Sequence, residues 1–329
     1  LITLTASWRK GYNQFRGDFL NFERFLEGLG ASEAPSSISN LYILSGISKR
    51  EMEVFRGAWP RLPVERRRTI LRALVEITEA SFEADFNTIF RFCLSDEDGE
   101  VTAQAIEGLW EDESVSILRS LIGLLRGDPS FLVRARAAAG LGRFVLLAEL
   151  DELDSELEAE ARELLLHTIN NPQEALEVRR QAVEAISFSG EEGVRKIIEA
   201  AYQDEAQKMR VSAVFAMGRS VDPYWGETLL RELENPDPEM RYEAVRACGE
   251  LELKEAVPAL ARLINDADRE VRGAAIWALG RIGGRGARRV LRACRESDDK
   301  IVAEAAEEAL SELEFAEGIF EIPLYGEEE

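Results

Sequence analysis

Histidine is almost absent. The 329 residues include one, His167, and three cysteines, Cys93, Cys248 and Cys294, none in a Cys-x-x-Cys pair. A zinc site needs four such ligands, or three and a water, so zinc catalysis and disulfide frameworks are both excluded. No Gly-x-Ser-x-Gly elbow and no Gly-x-x-x-x-Gly-Lys-Ser/Thr loop occurs, and carboxylates are too abundant for spacing to single out a catalytic pair. Basic residues are outnumbered, 40 Lys+Arg against 62 Asp+Glu, and the formal charge of −22 repels phosphate backbones and anionic lipid. No apolar run approaches the roughly 18 residues that span a bilayer, and Leu1–Ser7 lacks a basic segment followed by an apolar one. The odd cysteine count fits a reducing compartment, and a cytoplasmic location is expected. The chain starts at Leu1 rather than methionine, which is compatible with a fragment or a processed product.

What is abundant is repetition. With 46% hydrophobic and 31% charged residues the chain is globular in composition, and it aligns with itself without gaps. Met209-Arg210 to Gly218, Met240-Arg241 to Gly249, Val271-Arg272 to Gly280 and Val302-Ala303 to Ser311 share one pattern, their anchors 31 residues apart. The same frame fits Arg179, Arg134, Thr102 and, more weakly, Arg67. One interval, Arg134 to Arg179, is 45 residues, and its surplus falls on the acidic stretch Glu149–Glu156 as a lengthened loop or helix extension.

Each period reads as two helices. An amphipathic segment such as Ala256–Ile264 precedes a turn rich in Asp, Pro and Gly, and then the anchor helix begins. Asp237 is placed to accept from the first free backbone N–H groups, with Pro238 at the first helical position; Asp268 occupies the same place one repeat on. At 100° per residue, positions −1, +3, +4 and +7 from the anchor converge on one apolar face with the anchor arginine at its centre. Such an arginine is costly to desolvate unless paired, and turn aspartates of its own or the next repeat are the natural partners. Arg134, Arg179, Arg210, Arg241 and Arg272, with Asp237 and Asp268, are therefore expected to form a structural ladder.

This pattern, carried by the turn Asp, by Arg210, Arg241 and Arg272 and by the Ala-x-x-Ala-Leu-Gly type tails, resembles the HEAT-repeat family, in particular the short bacterial HEAT-like repeats of phycobilin lyases. The resemblance covers residues 64 to 312, and Thr102 and Ala303 depart from its anchor. It implies an all-α, right-handed α-α superhelix of about eight helix pairs, with the second helices on the concave side. Residues 1–63 then form an N-terminal helical cap and linker, 64–312 the solenoid, and 313–329 an acidic-hydrophobic tail.

Positions +1, +2, +5 and +9 lie opposite the apolar face and define the expected partner surface. They carry eight arginines, Arg68, Arg72, Arg136, Arg143, Arg180, Arg219, Arg246 and Arg281, against six glutamates, Glu76, Glu107, Glu111, Glu184, Glu243 and Glu250, with Phe188, Phe215, Tyr242 and Trp277 among them. Arginine and large aromatics dominate interface hot spots, so the stripe is expected to bind an acidic or aromatic extended segment. Partner-binding candidates are Arg180, Phe215, Arg219, Tyr242, Arg246, Trp277 and Arg281. The alternative is that these arginines solvate a helical face while Phe215 and Trp277 fold back on adjacent repeats.

At the ends, Phe15, Phe19, Phe22, Phe25, Leu26 and Leu29 fall at helical spacing and are expected to cover the first repeat, and Ser48-x-x-Glu51 reads as a capping box. From Glu312 to Glu329 there are seven glutamates and no Lys or Arg, interleaved with apolar residues, a composition suited to a disordered docking segment. That tail is a candidate occupant of the arginine/aromatic groove. His167, alone in the apolar run Leu164–Ile169, is expected to be a packing residue. The reading is a non-catalytic protein–protein interaction scaffold, with no catalytic residue, metal or cofactor, and neither nucleic acid nor membrane as partner. The resemblance offers a tetrapyrrole (phycobilin-type) lyase or chaperone as the alternative.

Overall fold

The computed structural model of the chain describes residues 19–31, 38–81, 83–150 and 155–320. Among the described residues every regular element is helical, and the fold is an all-α helical-repeat solenoid. Two helices, α1 (Phe19–Ala31) and α2 (Ile38–Leu41), come first. Eight pairs follow: α3 (Lys49–Ala58) with α4 (Val64–Ala80), α5 (Asn87–Cys93) with α6 (Gly99–Gly108), α7 (Val115–Gly127) with α8 (Phe131–Glu149), α9 (Ser155–Asn170) with α10 (Leu176–Ile186), α11 (Glu192–Tyr202) with α12 (Gln207–Arg219), α13 (Gly226–Glu232) with α14 (Pro238–Glu250), α15 (Val257–Leu263) with α16 (Arg269–Ile282), and α17 (Gly284–Arg295) with α18 (Lys300–Phe320). They divide into two compact units, one of residues up to 148 with 152–179, the other of 149–151 with 180 onward.

In the first unit, Ser48 and Glu51 cap α3 reciprocally, Ser48 N–H donating to Glu51 Oε2 at 2.7 Å and Glu51 N–H to Ser48 Oγ at 3.3 Å. Phe55 stacks on Trp59 at 5.1 Å and meets Phe92 edge-on at 6.1 Å. Phe22, Leu26 and Leu29 of α1 are buried, and the Leu29 carbonyl accepts from Arg66 Nε at 2.9 Å. Phe15 lies outside the described residues. The 45-residue interval is absorbed by helix: α8 has 19 residues and α9 has 16, on either side of 151–154.

In the second unit the second helices of successive pairs approach closely. A Cβ placed on Gly218 would stand 2.8 Å from the Ala247 Cα, and one on Gly249 would stand 3.0 Å from the Ala278 Cα. Any side chain at these positions would push the next helix away. Each helix then ends on a left-handed residue, Val221 (φ 48°), Glu252 (φ 49°) and Gly283 (φ 64°), again 31 residues apart.

The arginine ladder repeats one geometry. Arg134, Arg210, Arg241 and Arg272 each donate from Nη1 to the carbonyls six and five residues earlier; for Arg241 these are Asn235 at 2.8 Å and Pro236 at 3.0 Å. Those groups belong to the turn before the helix, where no intrahelical donor reaches. The carboxylate partners differ from the expected capping aspartates. Arg241 forks onto Asp266 of the next turn at 2.9 and 2.8 Å, and Arg134 onto Glu174 at 2.9 and 2.8 Å. Asp237 and Asp268 instead accept backbone N–H groups from Glu239 at 2.9 Å and Glu270 at 2.8 Å, and Asp237 also takes Gln207 Nε2 at 2.8 Å. The reason is geometric: an N-cap oxygen must face its own helix, whereas the residue six before the anchor faces the neighbouring turn. That position, occupied by Asp96, Asp128, Asp204, Asn235 and Asp266, also closes the turn by accepting the N–H two residues on at 2.8–3.0 Å. Arg179 is held by the Ile169 carbonyl at 3.1 Å, and Thr102 takes over the anchor's role by donating to the Asp96 carbonyl at 3.2 Å.

Candidate functional site

The surface left by the second helices of the second unit is narrower than helical geometry alone suggests. Close helix approach buries Val211, Ser212 and Ala274 at the +1 and +2 positions, while Arg180, Tyr242 and Glu243 there stay half-buried and Gly273 is exposed, alongside the +5 and +9 columns. Column +9 reads Phe188, Arg219, Glu250, Arg281, and column +5 reads Glu184, Phe215, Arg246, Trp277. Lateral neighbours in these columns interact. Glu250 accepts from Arg246 at 3.3 Å and pairs with Arg219 at 3.4 Å, so one carboxylate serves two guanidiniums. Arg219 also lies over Phe215 at 5.2 Å and Phe188 at 5.8 Å, and Arg246 lies over Trp277 at 5.5 Å. The Trp277 ring fills the space above Gly249, where a Cβ would come within 2.7 Å of Cζ3. Arg180 donates to the Lys208 carbonyl and to Ser212 Oγ, each at 2.9 Å, with Glu184 at 3.7 Å.

Glu243 sits inside this arrangement. Burial pushes its carboxyl up to about 7, with Glu184 and Glu250 adding to the rise and Arg246 opposing it. The +2 excess on this face was expected to be available to a ligand, but it is not free charge. In the first unit Arg68 pairs with Asp98 at 2.7 Å, Arg72 with Glu100 at 3.1 Å, Arg136 with Glu107 at 3.7 Å, and Arg143 donates to the carbonyls of Trp110 and Asp112 at 2.8 and 3.1 Å. An open pocket of about 410 Å³ there has four glutamates and two arginines in its wall, so the arginine-and-aromatic pattern belongs to the second unit.

Arg281 differs from the others of the stripe: it is exposed and has no hydrogen-bond or ion-pair partner among the described residues. Sequence reasoning missed three more of this kind, Arg285, Arg289 and Arg292, because it followed only the second helix of each pair. The signal was present, since residues 271–295 contain seven arginines and no acidic residue. His167 also departs from expectation. It is exposed on α9, where Leu165 and Thr168 take the inward positions. The cysteines are separately buried, and the Cys248 thiol is pushed up to about 12 by burial, which leaves it without nucleophilic character. Of the tail, residues 313–320 continue α18, with Leu313 buried and Phe315 exposed; 321–329 lie outside the described residues.

The periodicity, the turn aspartates and the paired helices coincide with a family profile described as HEAT repeats, which matches residues 226–311. The CpcE–CpcF complex of phycocyanin lyase from a Nostoc species is similar in structure at 16% identity and a TM-score of 0.52, over 86% of this chain and 97% of that one. Human deoxyhypusine hydroxylase in complex with glycerol matches at 18% identity and a TM-score of 0.35, over 90% and 98%. The Kap95:Nup1 complex matches at 13% identity and a TM-score of 0.45, over 91% of this chain and 46% of that one. At such identities the likeness is one of fold. A search of curated protein sequences finds no relative. No helix among the described residues is long and apolar enough to cross a membrane.

Proposed function

We propose that the chain is a non-catalytic protein-interaction scaffold, and that the second helices of its second unit bind an extended acidic and aromatic protein segment. The carrying observation is the sharing of Glu250 by Arg219 and Arg246, whose side chains remain about one-third exposed, 34% and 32%, beside the aromatic rings. A ligand carboxylate takes the place of Glu250 on the two guanidiniums, an exchange of like for like, so the net affinity comes from aromatic burial against Phe215, Tyr242 and Trp277. Arg180 and Arg281 extend the strip at its two ends. The chain's own acidic tail has the required composition, and a peptide of sequence 314–329 is a ready probe.

The test is a titration of that labelled peptide with the full chain. Glu250→Gln frees both arginines and should tighten binding about three- to tenfold, whereas Trp277→Ala with Arg246→Glu should weaken it by tenfold or more. Binding that ignores both changes, or no binding to any form of the protein, refutes the reading.

A further inference from the structure

Helix α17 has an exposed arginine row that neither the ladder nor the inner face uses. Its apolar side, Ala287, Leu291 and Cys294, is buried. At 100° per residue Arg285, Arg289 and Arg292 fall within about 60° of one another on the opposite side. All three are exposed, and none has a hydrogen-bond or ion-pair partner among the described residues. Elsewhere on the first helices of this unit arginines are engaged, Arg195 with Asp222 at 2.7 Å and Arg262 with Glu234 at 3.2 Å. The repeat does not require arginine at these places either. One and two periods earlier the same positions hold Lys254 and Pro223, Pro258 and Glu227, and Ala261 and Leu230. In a chain with 62 acidic residues, leaving three neighbouring cations uncompensated is a local departure that packing does not explain.

We infer that this face of α17 docks an acidic helical segment of a partner protein. The steps from Arg285 to Arg289 and from Arg289 to Arg292 are about 6 Å and 4.5 Å along the axis, the spacing of glutamates at i, i+4 and i+7 on a facing helix. Arginine without lysine favours bidentate carboxylate contacts over diffuse charge attraction. A nucleic acid or an anionic membrane would bring many charges against a net −22, while the row offers only about 10 Å of cationic surface. The proposal stands apart from the inner-face reading, because α17 is a first helix and its arginines are not in the stripe.

The full chain is titrated, in about 50 mM salt, with a labelled alanine-based helix carrying four glutamates at i, i+4, i+7 and i+11, and with a permuted peptide of the same composition. The ordered peptide should bind several-fold more tightly than the permuted one. The triple variant Arg285→Glu, Arg289→Glu, Arg292→Glu should lose at least tenfold in affinity, while Trp277→Ala changes it less than twofold. Should the reversal disturb folding, the triple glutamine variant reads the same loss at smaller amplitude. Unchanged binding by the triple variants, no binding by the wild type, or tighter binding of a single-stranded oligonucleotide or an anionic vesicle overturns the proposal.

Discussion

Replacing Arg241 by alanine removes two charge-assisted bonds to Asp266 and two bonds to the carbonyls of Asn235 and Pro236. Both partners of the ion pair are nearly out of solvent, with side chains 15% and 7% exposed. Breaking a buried pair from one side costs about 3–5 kcal/mol, because the remaining charge is left without compensation. Here Asp266 keeps the Asp268 N–H at 2.8 Å, which places the loss at the lower end, about 3 kcal/mol. For a unit of this size that is about 6–12 °C in the melting transition of the second unit, read by calorimetry or circular dichroism. The pH dependence is a second check. The Asp266 carboxyl is held below the usual carboxylate range chiefly by its hydrogen bonds to Arg241, so its contribution is present above the unfolded-state value near 4 and is lost as the pH falls through the folded one. The gap between wild type and Arg241→Ala should therefore be full at pH 7 and shrink below about pH 4. Arg241→Lys keeps the charge but not the fork, and should fall between the two. A melting shift under about 2 °C, or a gap equal at pH 3 and pH 7, would refute the assignment of Arg241 to the ladder.

Two further outcomes follow from the packing of the second unit. Glu243, with its carboxyl raised to about 7, contributes stability that is fully present below about pH 4 and is lost as the pH rises through 7. Glu243→Gln should match wild type at pH 4 and exceed it by about 2 kcal/mol at pH 8 in urea unfolding, and equal stability at both pH values would contradict the burial of that carboxyl. Gly249→Ala forces a methyl group against Trp277 and the Ala278 backbone, and should cost about 1–3 kcal/mol, whereas Gly273→Ala, with open space around it, should be neutral or stabilising. Equal melting of the two variants would contradict the close approach of α14 and α16.

The architecture was legible because its determinants are local. The 31-residue period, the apolar columns at −1, +3, +4 and +7, and the caps at Asp237 and Asp268 each depend on residues within a single helix or turn. The anchor arginines and their pairing with turn aspartates of their own or the next repeat were recognised, but which aspartate serves was not, because Asp266 meets Arg241 only once two turns are stacked. The pairing within the stripe escaped for the same reason. Arg219 and Glu250 stand 31 residues apart in one column, as do Arg246 and Trp277 in another, and reading each repeat by itself made the arginines look available. Comparing columns sideways would have shown the charge alternation. The α17 arginines escaped because attention went to the repeating positions, and theirs do not repeat.

The ladder has a kinetic corollary. Its carboxylate rungs are uneven: Arg67 reaches Asp96, Arg134 reaches Glu174 and Arg241 reaches Asp266, each in the following pair, whereas Arg210 and Arg272 have no carboxylate partner among the described residues, Asn235 and Ser297 standing where the next carboxylate would be. In a quasi-one-dimensional array, stability is the sum of each unit's own stability and its coupling to its neighbours. The missing carboxylates after Arg210 and after Arg272 make these the weaker ionic couplings of the second unit, and amide exchange should be faster there than at the Arg241–Asp266 seam. The second of these seams precedes the pair that bears the unpaired arginine row, so a partner seated on α17 would act as the missing rung there.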